Sequence, residues 1–442
     1  MANGSIVDPF TDLATAFENP RLKSGHTIYL RQGTHPLSKV VAHTVAGVTI
    51  RSYPGELAVI DCGAFDLDLN ASVDLRDLTV TSSVTTRATE EPLSSAMDGI
   101  IGAMVGNAGT INLTNVRLVA TSNVGWWTGS TGTWKGVLVQ DTGWDAPDRG
   151  HGHVLYTQND AKDGLKTVTA SILVEGYGGN LRLYGSSDSI LQGYRISDSI
   201  FMHERALIGG SPVDDVQITS CMFYSAVQWG YREKDNQSAS ISNSFMRYTQ
   251  VVRFWQSLTM TGCVVLAGDG DCVNVQLGQD YNNLHFDNNV YISSKARPFA
   301  IDGDGWRSFA EWQAETGQDA NSRFYTSVAD AVADGALTVP IVRVFAVNEG
   351  DHVANIAIWN PLQDETVDVD LSALTLDNGD YELRQVRDYD NDRRAIAYDG
   401  SPVTVTMSGT TQWPPGYPTP YHPETVPANA LPEFGAFELW RV

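Results

Sequence analysis

Lysine is nearly missing from this chain of 442 residues: 7 lysines stand beside 22 arginines, and 15 glutamates beside 37 aspartates, for a formal net charge of -23. A surface so poor in cations argues against nucleic acid and anionic membranes as partners, since both would be repelled. Short carboxylates in excess keep a protein soluble in concentrated salt, where a Debye length of about 3 Å at 1 M screens self-repulsion. The composition therefore points to a halophilic source. Cysteine is scarce as well: Cys62, Cys221, Cys263 and Cys272 form no Cys-x-x-Cys pair and no zinc spacing, so they are expected to be buried free thiols. No apolar run approaches the roughly 18 residues of a membrane span. Residues Met1 to Phe10 have neither the basic start nor the apolar stretch of a secretory signal. If the chain works outside a cell, release by lysis is the expected route.

A repeat is present. The stretches from Val73, Ile111, Tyr194, Val216, Ala239, Leu258 and Leu284 each read as an apolar alternation, a small or polar corner, and a second apolar run. From Ile196 the equivalent positions are Ile218, Ile241, Met260 and Phe286, in steps of 22, 23, 19 and 26 residues. A coil of that length cannot bury its inward face alone, but stacked coils can, so the period predicts a solenoid with side-chain ladders. The corner residues Asp77, Asn115, Asp198, Ser220, Asn243, Gly262 and Asn288 are types that tolerate the left-handed region.

The expected organisation is all-β: an N-terminal cap segment over 1–20, with a helix-like run from Asp8 to Phe17, then a right-handed single-stranded parallel β-helix over 21–300. A helical linker follows over 301–340, and a small antiparallel β-sandwich over 341–442, where strands lengthen and alternate. A Pro-rich run from Trp413 to Pro432 precedes the final strand. The sandwich is expected to fold on its own. The stretch Gly143-Trp-Asp-Ala-Pro-Asp-Arg-Gly-His-Gly-His-Val-Leu-Tyr-Thr-Gln-Asn, with Leu207-Ile-Gly-Gly, resembles right-handed parallel β-helix proteins of the pectate-lyase-like and phage-tailspike-like kind. The resemblance implies the fold and leaves the chemistry open, because members of that group do different things.

The densest functional candidates lie between Trp126 and Asn159. Sugar C–H faces pack on aromatic rings while hydroxyls need paired donors and acceptors, so Trp126, Trp127, Trp134, Trp144, Arg149 and Asn159 are the candidate glycan contacts. Candidate catalytic residues are Asp145, Asp148, His151, His153 and Tyr156. A carboxylate pair such as Asp145 with Asp148 would suit glycoside hydrolysis; His153, Tyr156 or Arg149 would suit proton abstraction beside a uronate carboxyl, as in a lyase. Glu175, Asp188, Arg205, Arg232, Lys234 and Asp235 fall on later coils and could line the same groove. His151 and His153 share a strand face but lack a defined third ligand, so no metal is expected, and no cofactor. Sequons at Asn3, Asn70, Asn112 and Asn236 permit N-glycosylation in a suitable host.

Two functional classes follow. One is a virion surface protein of a tailed virus, tailspike-like or receptor-binding and glycan-directed, with a halophilic archaeal host. It would partner other virion proteins and cell-surface polysaccharide, as a homotrimer, and attach through the sandwich. The other is a secreted polysaccharide lyase or glycoside hydrolase of a halophilic or marine organism. Both place the protein on a virion or outside a cell.

Overall fold

The computed structural model describes residues 4–5, 9–92, 99–185, 188–231, 235–302, 305–409 and 430–442. Asn3, Asp8, Arg232, Lys234 and residues 413–429 of the Pro-rich run lie outside them. The chain is a right-handed parallel β-helix, one sheet of 31 described strands wound into coils, followed by antiparallel sheets. Successive coils lay short strands on three parallel faces. On the first face the register carries one inward position from coil to coil: Ile28, Ile50, Leu75, Leu113, Trp134, Val168, Ile196, Ile218, Ile241, Met260 and Phe286. The positions read from the sequence are rungs of this ladder. Two coils that the repeat skips, through Trp134 and Val168, stand between Leu113 and Ile196.

Strands such as Val48–Ser52 and Val73–Thr81 alternate buried and part-exposed residues, because only one face of each meets the interior. The expected corners all lie in the left-handed region, with φ between 50° and 64° for Asp77, Asn115, Asp198, Ser220, Asn243, Gly262 and Asn288. They stack between coils: Asn115 Nδ2 donates to Asp77 Oδ1 at 3.0 Å, and nearby Asn112 Nδ2 donates to Asp74 Oδ1 at 2.7 Å. The four cysteines are buried and free, and burial pushes Cys62, Cys221 and Cys263 up to about 12, so they pack as small hydrophobes. The sequons fare differently. Asn236 is fully buried and its amide serves Val213 N and Phe254 O, so no glycan fits there in the folded chain.

Both ends of the solenoid are covered, which blunts the open edges that a stack otherwise offers. At one end the helix Leu13–Phe17, capped by Asp12, buries Leu13, Ala14 and Phe17, with Phe17 edge-on to His43. At the other, the helix Phe309–Thr316, with its Ser308/Glu311 capping box, stacks the buried Trp312 on Phe299. The last described parallel pairing joins Val290–Ser293 to Arg323–Tyr325, within the stretch expected as a helical linker.

After this come Ile341–Glu349, His352–Trp359, Phe434–Arg441, Gly379–Gln385 and Arg393–Tyr398, a five-stranded antiparallel sheet in that spatial order. Thr366–Val369 and Val403–Thr406 form a second, two-stranded sheet over it. The sandwich, expected to fold on its own, packs one face against the solenoid. Strand His352–Trp359 is buried along its whole length: Ile356 and Ile358 meet the small sheet, while Ala357 and Trp359 pack with Ile172, Ile200, Met222 and Phe245 of the solenoid. The two parts share a core.

Candidate functional site

Between the strands Leu138–Thr142 and Leu155–Thr157 the chain leaves the coil and forms a two-stranded hairpin, Trp144–Ala146 with Arg149–His151. Its glycines are contact points. A Cβ on Gly150 would stand 1.8 Å from Tyr177 O, and one on Gly152, at φ 79°, 2.3 Å from Ser122 O. No other residue type lets this hairpin lie so flat on the solenoid.

The hairpin closes one side of an open pocket of about 190 Å³, lined by Asn123, Trp144, Arg149, His151, His153 and Tyr156 among others. His151 stacks on Trp144, with ring centroids 5.3 Å apart, and its Nε2 lies 2.9 Å from Asp148 Oδ1. That contact, with Arg149 3.8 Å from the same carboxylate, outweighs slight burial and holds Asp148 below the usual carboxylate range. His153 stands edge-on to Tyr156, centroids 5.3 Å apart. Burial, then the charges of Arg182 and Arg149, lower His153 to about 3. It is therefore neutral at any ordinary pH.

The sequence candidates divide between pocket and interior. Arg149, His151, His153, Tyr156 and Trp144 come together there, with Asp148 bonded to His151 at the hairpin turn. Trp127 flanks them, its ring edge-on to Tyr156 at 4.7 Å. Its indole lies over Gly125, where an added Cβ would stand 2.9 Å from the ring nitrogen. Trp126 and Trp134, expected as sugar platforms, instead stack on one another inside the solenoid, 0% and 1% exposed, and offer no face to a ligand. Asn159, expected as a sugar contact, is fully buried and donates to Gly164 O and Gln192 O, holding a turn. Asp145 is fully buried too, its backbone bridged to Arg87 and Thr89. Because Asp145 is interior and Asp148 is at the surface, the two do not face each other across an open groove as a hydrolytic pair must. Glu175 is also interior. Among the described residues no three His, Cys, Asp or Glu side chains gather where a metal could be held.

Residues that the sequence reading missed extend the site. In the register of the third face, Gly125, Tyr156, Arg182, Leu207 and Gln228 are successive outward positions. The rings of Tyr156 and Tyr184 lie 6.1 Å apart, and those of Tyr184 and Tyr231 5.5 Å apart. Arg182 and Tyr184 are thus one coil beyond Tyr156; aligning the coils around residue 155 was the signal that would have found them.

No protein-family model and no curated protein matches the chain. Among solved structures, the A-module of the mannuronan C-5 epimerase of Azotobacter vinelandii is 11% identical, with a TM-score of 0.39 over 68% of this chain and 91% of that one. A PL6 family polysaccharide lyase of Pseudopedobacter saltans is 11% identical, with a TM-score of 0.38 over 69% and 89%. A protein of Geobacillus virus E2 is 11% identical, with a TM-score of 0.33 over 90% and 73%.

Proposed function

We propose that this chain is a glycan-binding protein working outside a cell, and that it meets sugar at the pocket of Arg149, His151, His153 and Tyr156. The observation that carries this reading is the pocket itself, where an exposed guanidinium, a neutral imidazole and a phenol edge converge beside the indole of Trp127. Rings give apolar faces to C–H groups and the polar edges take hydroxyls, which is the mix a saccharide requires.

Binding is favoured over bond cleavage on two grounds. The carboxylate pair needed for hydrolysis is split between interior and surface. Of the three candidate lyase bases, His153, lowered to about 3, is a weak acceptor for a carbon-bound proton, since general bases work best near the operating pH. Among extracellular settings, we propose the surface of a tailed virus of a halophilic host; the Asp-rich, Lys-poor composition supports the halophilic part of that reading. The test is a glycan array probed with the protein, followed by Arg149→Gln and Tyr156→Phe. Loss of binding in folded variants supports the assignment. A full array signal in both variants would remove it, and release of unsaturated uronate products by the parent protein would overturn the choice of binding over cleavage.

A further inference from the structure

The pocket is one end of a longer surface. Beyond Tyr156, the rings of Tyr184 and Tyr231 continue along the third face, and Arg182, Arg205 and Arg253 follow, the first two on successive coils and Arg253 one coil further, past that of Gln228. Arg182 Nη1 donates to Arg205 O, Arg205 Nη1 to Gln228 Oε1 at 2.9 Å, and Arg253 Nη2 to Gln276 Oε1 at 2.7 Å, so the guanidinium groups are held in place. Arg205 owes its position to a bulge: two residues stand between His203 and Ala206 where the neighbouring coil has one between Ser225 and Val227. Bulges of this kind re-aim side chains. Arg205 and Arg253 are close enough to repel each other, as Arg149 and Arg182 together repel a proton on His153.

A row of like charges that disfavour one another is costly unless a ligand uses it. On a protein of net charge -23 the row is also against the general composition. Carboxylates border it at both ends: Asp148 beside Arg149, and Asp302 near Arg253. From Trp127 to Arg253 the track crosses five coil steps, about 24 Å at about 4.8 Å per step.

We infer that this track binds an extended acidic polysaccharide lying along the solenoid axis, with the arginines on its carboxylate or sulfate groups and the tyrosines against its sugar faces. The inference rests on the glycan reading of the pocket and adds the charge and length of the ligand. A polysaccharide is favoured over single-stranded nucleic acid because the rings are turned against one another, edge to face for Trp127–Tyr156 and Tyr184–Tyr231 and tilted for Tyr156–Tyr184, so successive bases find no row of parallel faces to stack on.

The test uses the full chain. Binding is measured to polygalacturonate, alginate and hyaluronate, to neutral dextran, and to oligothymidylate, for the parent and for Arg205→Gln with Arg253→Gln, whose fold is checked by circular dichroism. The expected result is binding to at least one acidic polymer, tighter for longer oligomers, with the double variant weaker by at least about tenfold. Equal binding to dextran, or an unchanged affinity in the double variant, overturns the acidic-chain inference while leaving a sugar pocket. Oligothymidylate bound as tightly as any glycan overturns the choice of polymer. No binding to any saccharide, charged or neutral, overturns both this inference and the pocket reading.

Discussion

Glu175, on a solenoid coil, and Arg387, in the C-terminal sheets, form an ion pair across the junction with side chains only 5% and 6% exposed. Around it, Gln140 Nε2 reaches Val386 O at 3.5 Å, Asn355 Nδ2 donates to Ala170 O at 2.6 Å, and His352 Nδ1 lies 3.0 Å from Asn115 Oδ1. Polar groups of the solenoid are thus satisfied by the sheets laid over it. Removing one partner of a buried ion pair typically costs about 3–5 kcal/mol, and with Arg387 gone Glu175 keeps only the imidazole of His203, 3.1 Å away. Arg387→Met should therefore lower the unfolding free energy read from urea melts by about that amount, while Glu175→Gln with Arg387→Met should recover most of it. A single variant as stable as the parent would mean the pair is not buried in solution.

The same junction predicts how the chain comes apart. Trp359, Phe345 and Phe434 are buried in one cluster with Ile172, Met202 and Met222 of the solenoid face. A fragment of residues 341–442 should fail to show the cooperative melt that the full chain shows. Calorimetry of the full chain should give one transition, and two well-separated transitions would contradict the shared core.

Ladder positions give a graded prediction. Ile218 is 1% exposed, between Ile196 and Ile241. Ile218→Val should cost about 0.5–1.5 kcal/mol. Ile218→Asp would bury a charge with no partner and should abolish the folded state at room temperature. Circular dichroism melts of the two variants check both statements.

These rungs were legible because the period survives wherever the inward residues are aliphatic. It fails around Trp134 and Val168 for a physical reason. Lys166 faces inward on that coil, fully buried, with its Nζ bonded to the carbonyls of Trp126, Trp127 and Gln158. A lysine among carbonyls breaks the apolar pattern without breaking the coil. Trp126 and Trp127 held a missed signal. Adjacent strand residues point to opposite faces, so one of the two had to be interior. The shared core was not legible, since the alternation of His352–Trp359 does not say that both faces are covered.

Stability should fall in acid, between about pH 6.5 and about pH 4. Burial lowers His203, 3.1 Å from Glu175 Oε1, to about 4, and lowers His153 further. An unfolded imidazole takes its proton near 6.5, so in that window the unfolded chain binds more protons and is favoured as pH drops. The contribution is complete above about pH 6.5 and is lost on approach to the folded values. His203→Asn should flatten the acid slope of the melting temperature, because an amide does not titrate and Asn tolerates the φ of 67° at this position. An identical slope in the variant would rule His203 out as its source.

The last prediction separates two neighbouring tryptophans. Trp126 is 0% exposed and stacked on Trp134 at 4.5 Å, whereas Trp127 lies part-exposed over Gly125 with its edge to Tyr156. Removing a buried indole leaves a cavity costing about 3–5 kcal/mol, while removing a surface ring costs far less. Trp126→Ala should therefore lose stability first, with glycan binding weakened only as far as the folded fraction falls. Trp127→Ala should melt close to the parent yet lose glycan affinity, because its ring is the end of the aromatic track that continues through Tyr156 and Tyr184. Measuring melting temperature and glycan affinity on both variants gives two readouts that must cross. If Trp127→Ala binds as the parent does, the track begins at Tyr156 and the indole has no part in recognition. If it also melts early, Trp127 is a packing residue, and its contact with Tyr156 supports the fold instead of a ligand.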